Sequence, residues 1–357
     1  MDYALIGCGR IAPSHIKAAR ENGFHIAAVC DIDERQIDTL FDACALSGAE
    51  RAGIRRYTDY DKMLEEEALT LVSIALPSGL HARCACSVIR RGVNVIVEKP
   101  IAMSLKDADE IIRLSEEYGV TVSACHQNRF NRAVQAMRAA LEAGRFGTLS
   151  NAAVTVRWHR DEAYYAQADW RGKWQSDGGT LMNQCIHGID LLRWMCGDEI
   201  VSVYGKTRRR LHPYIEAEDF GAAVIEFKNG ILATVEGTVN VNADDMEEHL
   251  TLIGSAGTVK LGGTSANKVE YWRFDDKPEE TVENADEHTV NVYGNGHTAL
   301  FADVAEAIRQ GRPPYVDARA GRRALETVLA IYLSSKTGAP VTLPLKDVSS
   351  ADFTGLF

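Results

Sequence analysis

The sequence predicts an α/β fold in which a doubly wound parallel sheet comes first and a domain with a large, mostly antiparallel sheet follows. Near-continuous apolar runs alternate with helical patterns in the first third of the chain, which indicates parallel strands covered by helices. From Asn151 onward, alternating and β-branched segments lie between turn signals, which indicates antiparallel strands. With 357 residues the chain is long enough for two domains, which we expect at 1–123 and 124–357.

The elements follow from these patterns in chain order. We expect parallel strands at 3–6, 25–30, 71–76, 93–97 and 120–125, with a helix at 107–118. Further strands are expected at 151–158, 200–208, 220–228, 231–240, 249–254 and 268–274. Helical patterns cover 131–143, 179–196, 298–310 and 318–336.

Composition excludes several functional classes. The net charge of −11 argues against a nucleic-acid-binding surface. The eight cysteines have neither metal-site nor disulfide-framework spacing, which suits a reducing cytoplasm and predicts no metal. No run reaches the length of a membrane span, and the N-terminus enters a strand without a basic segment, so we expect neither membrane association nor a signal peptide.

The first strand runs directly into a glycine-rich turn, Gly7-x-Gly9-x-x-Ala12, that opens a helix. Gly7 permits a tight turn, Gly9 lets backbone N–H groups approach a pyrophosphate, and Ala12 allows close helix packing. The helix N-terminus favours an anion. The turn therefore predicts a dinucleotide site with contacts from Gly7, Gly9, Arg10 and Ile11.

Asp31 directly follows the second strand, where a ribose-binding acid is expected about 20 residues beyond the glycines. A carboxylate there accepts hydrogen bonds from the ribose hydroxyls and repels a 2′-phosphate. Asp31 therefore favours NAD over NADP; a solvated Asp at the end of a strand is the alternative.

The fourth strand ends in Glu98-Lys99-Pro100, at the sheet edge where ligands of such folds bind. A proline here permits a cis bond that would fix the direction of Lys99. A partly desolvated lysine near a nicotinamide can act as an acid or base. In isolation, a surface lysine in a turn is the more common interpretation.

The helical pattern at 179–196 places Asn183, His187 and Asp190 on one face. A histidine there can take a hydroxyl proton while hydride leaves the adjacent carbon. A buried core histidine is the alternative interpretation.

Together these motifs resemble the glucose–fructose oxidoreductase / inositol dehydrogenase family (Gfo/Idh/MocA). The resemblance extends from the glycine turn through Leu76-Pro77-Ser78-x-x-His81 and Glu98-Lys99-Pro100 to the 178–190 segment. It implies a Rossmann domain followed by an open-faced α/β domain, with NAD as cofactor and a homo-oligomer (a dimer or a tetramer) formed through the sheet. It also implies an enzyme in which Lys99 and His187 are catalytic; to these we add Asn183, which we expect to hydrogen-bond the reacting hydroxyl or a neighbouring sugar group. The further cofactor contacts that it implies are Pro77, Ser78, His81, Glu98, Lys99, Gln127, Trp170 and Arg171.

Asn183 departs from the Asp that is usual in the family at this position, so a proton relay through it is absent and His187 with Lys99 must suffice. Asn183-Gln184, with segments 126–130, 157–158, 170–172 and 293–297, resembles a branch of UDP-N-acetylglucosaminuronate 3-dehydrogenases. A uronate carboxylate favours a bidentate arginine, with Arg157 and Arg171 as leading candidates. The substrate contacts expected on this basis are Arg129, Arg157, Asn183, Tyr293 and His297.

We therefore expect an NAD-dependent dehydrogenase that oxidises the 3-hydroxyl of a UDP-N-acetyl-hexuronate in surface polysaccharide biosynthesis. The first alternative is a dehydrogenase of a free sugar or inositol, because these enzymes share the motifs. The second is a non-catalytic dinucleotide-binding regulator. The presence of both Lys99 and His187 argues against a regulator, since a sensor needs no acid–base pair.

Overall fold

The computed structural model describes residues 1–197, 199–282, 285–287 and 294–357. It divides into two compact units. The first unit comprises Met1–Ala102, Asp107–Cys125 and His297–Arg322. The second comprises Met103–Lys106, His126–Gly296 and Arg323–Phe357.

The first unit contains a six-stranded parallel sheet in the order β3-β2-β1-β4-β5-β6. Its strands are β1 Asp2–Ile6, β2 His25–Cys30, β3 Arg55–Tyr57, β4 Leu71–Ile74, β5 Asn94–Val97 and β6 Val122–Ala124. Their interior residues are almost completely buried because helices cover a parallel sheet. This strand order is the Rossmann order, so the predicted doubly wound fold is confirmed.

Over the described residues, seven helices lie wholly or mostly in the first unit. They are α1 Ala12–Glu21, α2 Glu34–Ala43, α3 Gly48–Gly53, α4 Tyr60–Glu66, α5 His81–Arg90, α6 Leu105–Tyr118 (from residue 107) and a later helix, His297–Gln310. Side chains cap several of them: the Asp33 carboxylate accepts the Arg35 N–H at the start of α2. Such caps satisfy N–H groups that have no partner within the helix.

The helix His297–Gln310 belongs to the first unit, whereas the sequence boundary at 123/124 places it in the second domain. Its Phe301 ring contacts Tyr3 of β1 at a centroid distance of 5.8 Å and Phe24 at 6.2 Å. A boundary drawn from chain order alone misses this return, because the apolar surface that attracts the helix lies nearly 300 residues earlier.

The second unit contains an eight-stranded sheet in the order β13-β12-β11-β7-β10-β9-β8-β14. Its strands are β7 Leu149–Arg157, β8 Ile200–Arg208, β9 Phe220–Phe227, β10 Leu232–Thr238, β11 Glu247–Gly254, β12 Gly257–Gly262, β13 Lys268–Phe274 and β14 Val341–Thr342. Neighbouring strands are antiparallel except for the parallel pair β7 and β10. The predicted mostly antiparallel sheet is therefore confirmed.

The helices of the second unit are α7 Arg132–Glu142, α8 Glu162–Tyr165, α9 Thr180–Asn183, α10 Ile186–Cys196 and, from residue 323, α12 Ala318–Thr337. The helix His297–Gln310 of the first unit is α11 in chain order. The single helix expected at 179–196 is therefore two helices, separated by Gln184 and Cys185. Among the described residues, no helix has both the length and the apolar character that a bilayer crossing requires.

Candidate active site

The glycine-rich turn has the geometry that a pyrophosphate site requires. Gly7 has φ +94°, and a Cβ at this position would lie 2.5 Å from the Ala75 carbonyl oxygen, so only glycine fits. A Cβ at Gly9 would meet open space, which leaves room for a ligand. No side chain caps α1, whose first turn follows Arg10 and Ile11. The turn therefore fits an anionic group at the helix N-terminus.

Asp31 lies beside this turn, at the end of β2. Its Oδ2 accepts the Cys8 N–H at 2.8 Å, and its Oδ1 accepts the Asp33 N–H at 2.9 Å. Both oxygens are thus held in place, while the residue remains partly exposed. Each carboxylate oxygen can accept more than one hydrogen bond, so Asp31 can also accept hydrogen bonds from the hydroxyls of a ribose.

Lys99 follows β5 and precedes a cis peptide bond to Pro100, the isomer that the sequence permits. Lys99 is half-buried, and its N–H donates to Glu98 Oε2 at 3.2 Å. Glu98 is itself buried, so its contacts determine where the turn that carries Lys99 lies.

A buried cluster surrounds Glu98. Its Oε1 lies 2.9 Å from His15 Nε2 and 3.6 Å from His297 Nε2. Burial alone would raise the pKa of Glu98, but contacts with His15 and His297 outweigh it and hold that pKa well below its usual value. Burial also lowers the pKa of His297. The cluster therefore favours the ionised form of the Glu98 carboxyl group, which accepts the backbone N–H of Lys99.

With Cys125, these side chains form a group whose candidate ligand atoms lie within 4.8 Å of one another. Such a donor set can ligate a divalent cation. Here, however, one oxygen of Glu98 contacts His15 and the other accepts the Lys99 N–H. Among the described residues, these contacts join the cluster into a hydrogen-bond network.

His81 and His297 are both buried and contact other parts of the protein. His81, expected to contact cofactor, lies with Nδ1 2.7 Å from the Pro100 carbonyl oxygen and Nε2 2.8 Å from that of Leu76. Its ring joins the Pro77–Ser78 loop to the Lys99 turn and is buried, so it holds these segments in place. His297, expected to contact substrate, is a buried member of the Glu98 cluster. Glu98 likewise positions Lys99 from within the interior.

In the second unit, His187 lies in the first turn of α10 and is only 4% exposed. Its ring meets the ring of His126 edge-on, with a centroid distance of 5.6 Å. One turn further along, Asp190 forms a bidentate ion pair with Arg129 at 2.6 and 2.7 Å. Burial would raise the pKa of Asp190, but Arg129 outweighs it and the pKa is lowered.

Arg129, which we expected to contact substrate, is paired with Asp190 inside the protein. Both residues are buried, and the guanidinium also lies over the Trp194 ring at 4.9 Å. Asp190 thus neutralises Arg129, which positions α10 and with it His187.

Arg157 is also neutralised within the protein. Its guanidinium contacts Glu236 at 2.8 and 2.9 Å and Glu247 at 2.6 Å. Hydrogen bonds to Glu236, together with that to Glu247, raise the pKa of Arg157. Carboxylates on the two strands that flank β7 therefore hold the guanidinium that we expected to bind a substrate carboxylate.

Arg171 has different surroundings. It donates to Tyr164 Oη at 2.6 Å, and its guanidinium lies 4.4 Å from the Tyr164 ring centroid and 4.7 Å from that of Trp170. Over the described ranges, no carboxylate lies within ion-pair distance of Arg171. It is therefore the predicted arginine whose charge is available to an anionic ligand.

Asn183 ends α9 and is half-buried. Its Nδ2 donates to Asp177 Oδ1, and Asp177 Oδ2 accepts the Gly172 N–H at 2.7 Å. Gln184 Nε2 lies 3.3 Å from both Asn183 Oδ1 and Tyr164 Oη. A hydrogen-bonded series thus joins Asn183 to the loop that carries Arg171.

Glu218 is hydrogen-bonded to the first turn of α9. Its Oε1 accepts the Leu181 N–H and the Tyr332 hydroxyl, each at 2.8 Å. Gly179 is required here because a Cβ would lie 1.7 Å from Glu218 Oε2. Complete burial raises the pKa of Glu218 to about 8.

Two predicted residues remain. Gln127 is buried, and its backbone carbonyl oxygen would lie 1.9 Å from a Cβ at position 296. The backbone of Gln127 therefore packs too closely against Gly296 for any larger residue there. Tyr293 lies outside the described residues. The sequence analysis missed His15, Tyr164 and Asp177, although the position of Asp177 directly before Gly178-Gly179 is a signal that could have identified it.

Comparisons with known proteins agree with this geometry. Two family profiles match: an oxidoreductase family NAD-binding Rossmann fold over residues 1–126, and the C-terminal alpha/beta domain of that family, GFO_IDH_MocA, over 138–343. The WlbA dehydrogenase of Bordetella pertussis, solved in complex with NADH and UDP-GlcNAcA, is 32% identical with a TM-score of 0.84, over 96% of this chain and 99% of that one.

The WlbA dehydrogenase of Chromobacterium violaceum, solved with the same two ligands, is 31% identical with a TM-score of 0.86, over 97% of this chain and 96% of that one. Inositol 2-dehydrogenase 2 of Saccharopolyspora erythraea is 26% identical over 284 residues, which is 78% of each chain.

Proposed function

The chain belongs to the Gfo/Idh/MocA family of NAD-dependent oxidoreductases, and we propose that it oxidises the 3-hydroxyl of a UDP-N-acetyl-hexuronate. The two WlbA dehydrogenases solved with UDP-GlcNAcA are above 30% identical to it over nearly the whole chain, which supports this substrate class. The prediction of an NAD-dependent dehydrogenase is confirmed, and the identity of the sugar is our proposal.

Arg171 is the observation that carries the proposal. A uronate carboxylate needs a cation that the protein does not already neutralise. Arg129 and Arg157 are each paired with protein carboxylates, whereas Arg171 is held between two aromatic rings with no carboxylate at ion-pair distance in the described part of the chain. We assign the substrate carboxylate to Arg171.

We assign the acid–base roles to Lys99 and His187. NAD, when bound, accepts the hydride from the carbon that bears the hydroxyl. The hydroxyl must lose its proton in the same reaction, and an imidazole or an amine is suited to take it. Asn183 cannot titrate, so its role is to hydrogen-bond the reacting hydroxyl or a neighbouring group of the sugar.

The first experiment compares UDP-N-acetylglucosaminuronate with UDP-N-acetylglucosamine, which lacks the carboxylate, by NADH formation. We expect kcat/KM to favour the uronate, and Arg171→Ala to lower kcat/KM for the uronate by about 10- to 100-fold, the effect of a lost charge-assisted hydrogen bond. The matched control is Arg273→Ala, because Arg273 also lies over a tyrosine ring, at 5.7 Å. Equal kcat/KM for both sugars on the wild type would contradict the uronate assignment.

The second candidate is a dehydrogenase of a free sugar or inositol. The 26% identity to an inositol 2-dehydrogenase supports it. A free polyol carries neither a carboxylate nor a diphosphate, so NADH formation with myo-inositol and no reaction with UDP-sugars would favour this candidate.

We also propose that the chain forms a homo-oligomer, a dimer or a tetramer, through the open face of the eight-stranded sheet. Exposed apolar side chains occupy this face: Val201, Tyr204, Val224, Leu232, Ile253 and Tyr271. Tyr204 and Val224 are direct cross-strand neighbours. An apolar patch of this kind is typical of a protein interface. A cytoplasmic location and a role in polysaccharide biosynthesis complete the proposal.

A further inference from the structure

Asp177 and Asn183 form a contact that determines how the Asn183 amide is oriented. Asp177 is only 1% exposed, and both of its carboxylate oxygens face N–H donors, Gly172 N at 2.7 Å and Asn183 Nδ2. A carboxylate that faces N–H groups accepts, so the group that Asn183 turns toward it must be the NH₂ end.

The opposite end of the amide is also defined. Gln184 Nε2 approaches Asn183 Oδ1 at 3.3 Å, which is a donor meeting an acceptor. Two neighbours therefore agree on the same orientation, with Nδ2 on the Asp177 side and Oδ1 on the opposite side. Chemistry, and not only atom placement, supports this assignment.

We propose that Asp177 is a positioning residue that makes Asn183 a hydrogen-bond acceptor for a sugar hydroxyl beside the one to be oxidised. This inference rests on the role of Asn183 in the proposed function and adds the residue that sets its polarity. The reacting hydroxyl has one proton, which goes to Lys99 or His187, so the hydroxyl that donates to Oδ1 is a neighbouring one. The pair therefore holds the sugar in place and takes no part in the proton transfer.

Asp177→Asn reverses this polarity. The new amide oxygen still accepts the Gly172 N–H, so its NH₂ group faces Asn183 Nδ2 and two donors meet. Asn183 rotates to relieve this contact, and its Nδ2 then faces the sugar. The sugar hydroxyl beside the reacting one thereby loses its acceptor.

The reversed pair, Asp177→Asn with Asn183→Asp, restores the contact. The amide introduced at position 177 accepts from the Gly172 N–H and donates to the carboxylate introduced at position 183, which also accepts from the substrate hydroxyl. Because that carboxylate titrates, kcat/KM acquires an additional ionisation at acidic pH that the wild type lacks.

The experiment measures KM and kcat, and their pH dependence, for the wild type, the single variant and the reversed pair. The substrate is UDP-N-acetylglucosaminuronate, and the control is Asp169→Asn, an exposed acid eight residues earlier in the same unit. For Asp177→Asn we expect KM to rise about tenfold with a smaller change in kcat, because the sugar loses one hydrogen bond. The reversed pair returns KM to near the wild-type value.

An unchanged KM in Asp177→Asn overturns the inference, as does a reversed pair that fails to restore KM, because Asp177 would then have only a structural role. If the wild type does not oxidise the UDP-uronate, the proposed substrate is wrong. The same variants are then measured with the sugar or inositol that the wild type does oxidise, since the polarity of Asn183 applies to any hydroxyl.

Discussion

Replacing Glu218 by Gln should remove a pH-dependent penalty on the stability of the second unit. Glu218 is completely buried beneath the start of α9, and burial raises its pKa to about 8 from an ordinary value of 4.5. Its carboxyl group is therefore neutral in the folded state at pH values where the unfolded chain carries a charge. The folded state binds the extra proton, so stability decreases as pH rises.

The magnitude follows from the two pKa values. Stability from the protonated group is fully present below pH 4.5 and is lost as pH rises through about 8. At about 1.4 kcal/mol for each pH unit, the full loss is about 5 kcal/mol. Glutamine preserves the acceptor for the Leu181 N–H and the Tyr332 hydroxyl, and it does not ionise.

Urea unfolding followed by tryptophan fluorescence measures this effect. Trp174 reports on the region because its ring lies 5.0 Å from that of Tyr332, which donates to Glu218. We expect similar unfolding free energies for the wild type and Glu218→Gln at pH 5, and a more stable variant at pH 9, by about 3–5 kcal/mol.

Glu226→Gln is the matched control, since Glu226 is an exposed glutamate on β9 of the same unit. Parallel pH dependences for the wild type and Glu218→Gln would refute the reasoning, because other titrating groups cancel in this comparison and only Glu218 differs.

Three further outcomes are expected. Asp31→Ala should weaken NADH binding, measured by fluorescence titration, and reduce its preference over NADPH; tighter binding of NADPH by the wild type would contradict the role of Asp31. Lys99→Met and His187→Asn should each lower kcat by about 10²–10⁴-fold with NADH affinity nearly unchanged. Wild-type turnover in His187→Asn would mean that His187 is a core residue without a catalytic role. Val224→Glu should reduce the oligomer mass in light scattering, and an unchanged mass would place the interface elsewhere.

The sequence predicts most of the fold because apolar periodicity is a local property. The strands that it missed have this property weakly or not at all. β3, Arg55–Tyr57, begins with two exposed arginines and pairs with β2 through its backbone. β12, Gly257–Gly262, alternates buried Val259 and Leu261 with Thr258 and Lys260, but the segment is short and directly follows a glycine-containing turn.

The glycine turn and Asp31 could be predicted because their chemistry depends on adjacent residues in the chain. The arginines could not be ranked in this way. Whether an arginine is available depends on its ion-pair partners, and those of Arg157 lie 79 and 90 residues away on other strands. Arg129 meets Asp190 from 61 residues away. Only the folded arrangement shows that Arg171 has no such partner over the described ranges.

The return of α11 to the parallel sheet has a consequence for synthesis on the ribosome. When residue 126 has been added, every strand of that sheet exists, but the Phe301 side chain that contacts Tyr3 and Phe24 does not. The apolar surface around β1 and α1 therefore stays uncovered until nearly the whole chain has been made. N-terminal domains generally fold first during synthesis. Here the N-terminal sheet completes its core only after the strands of the second unit up to β13 have been synthesised.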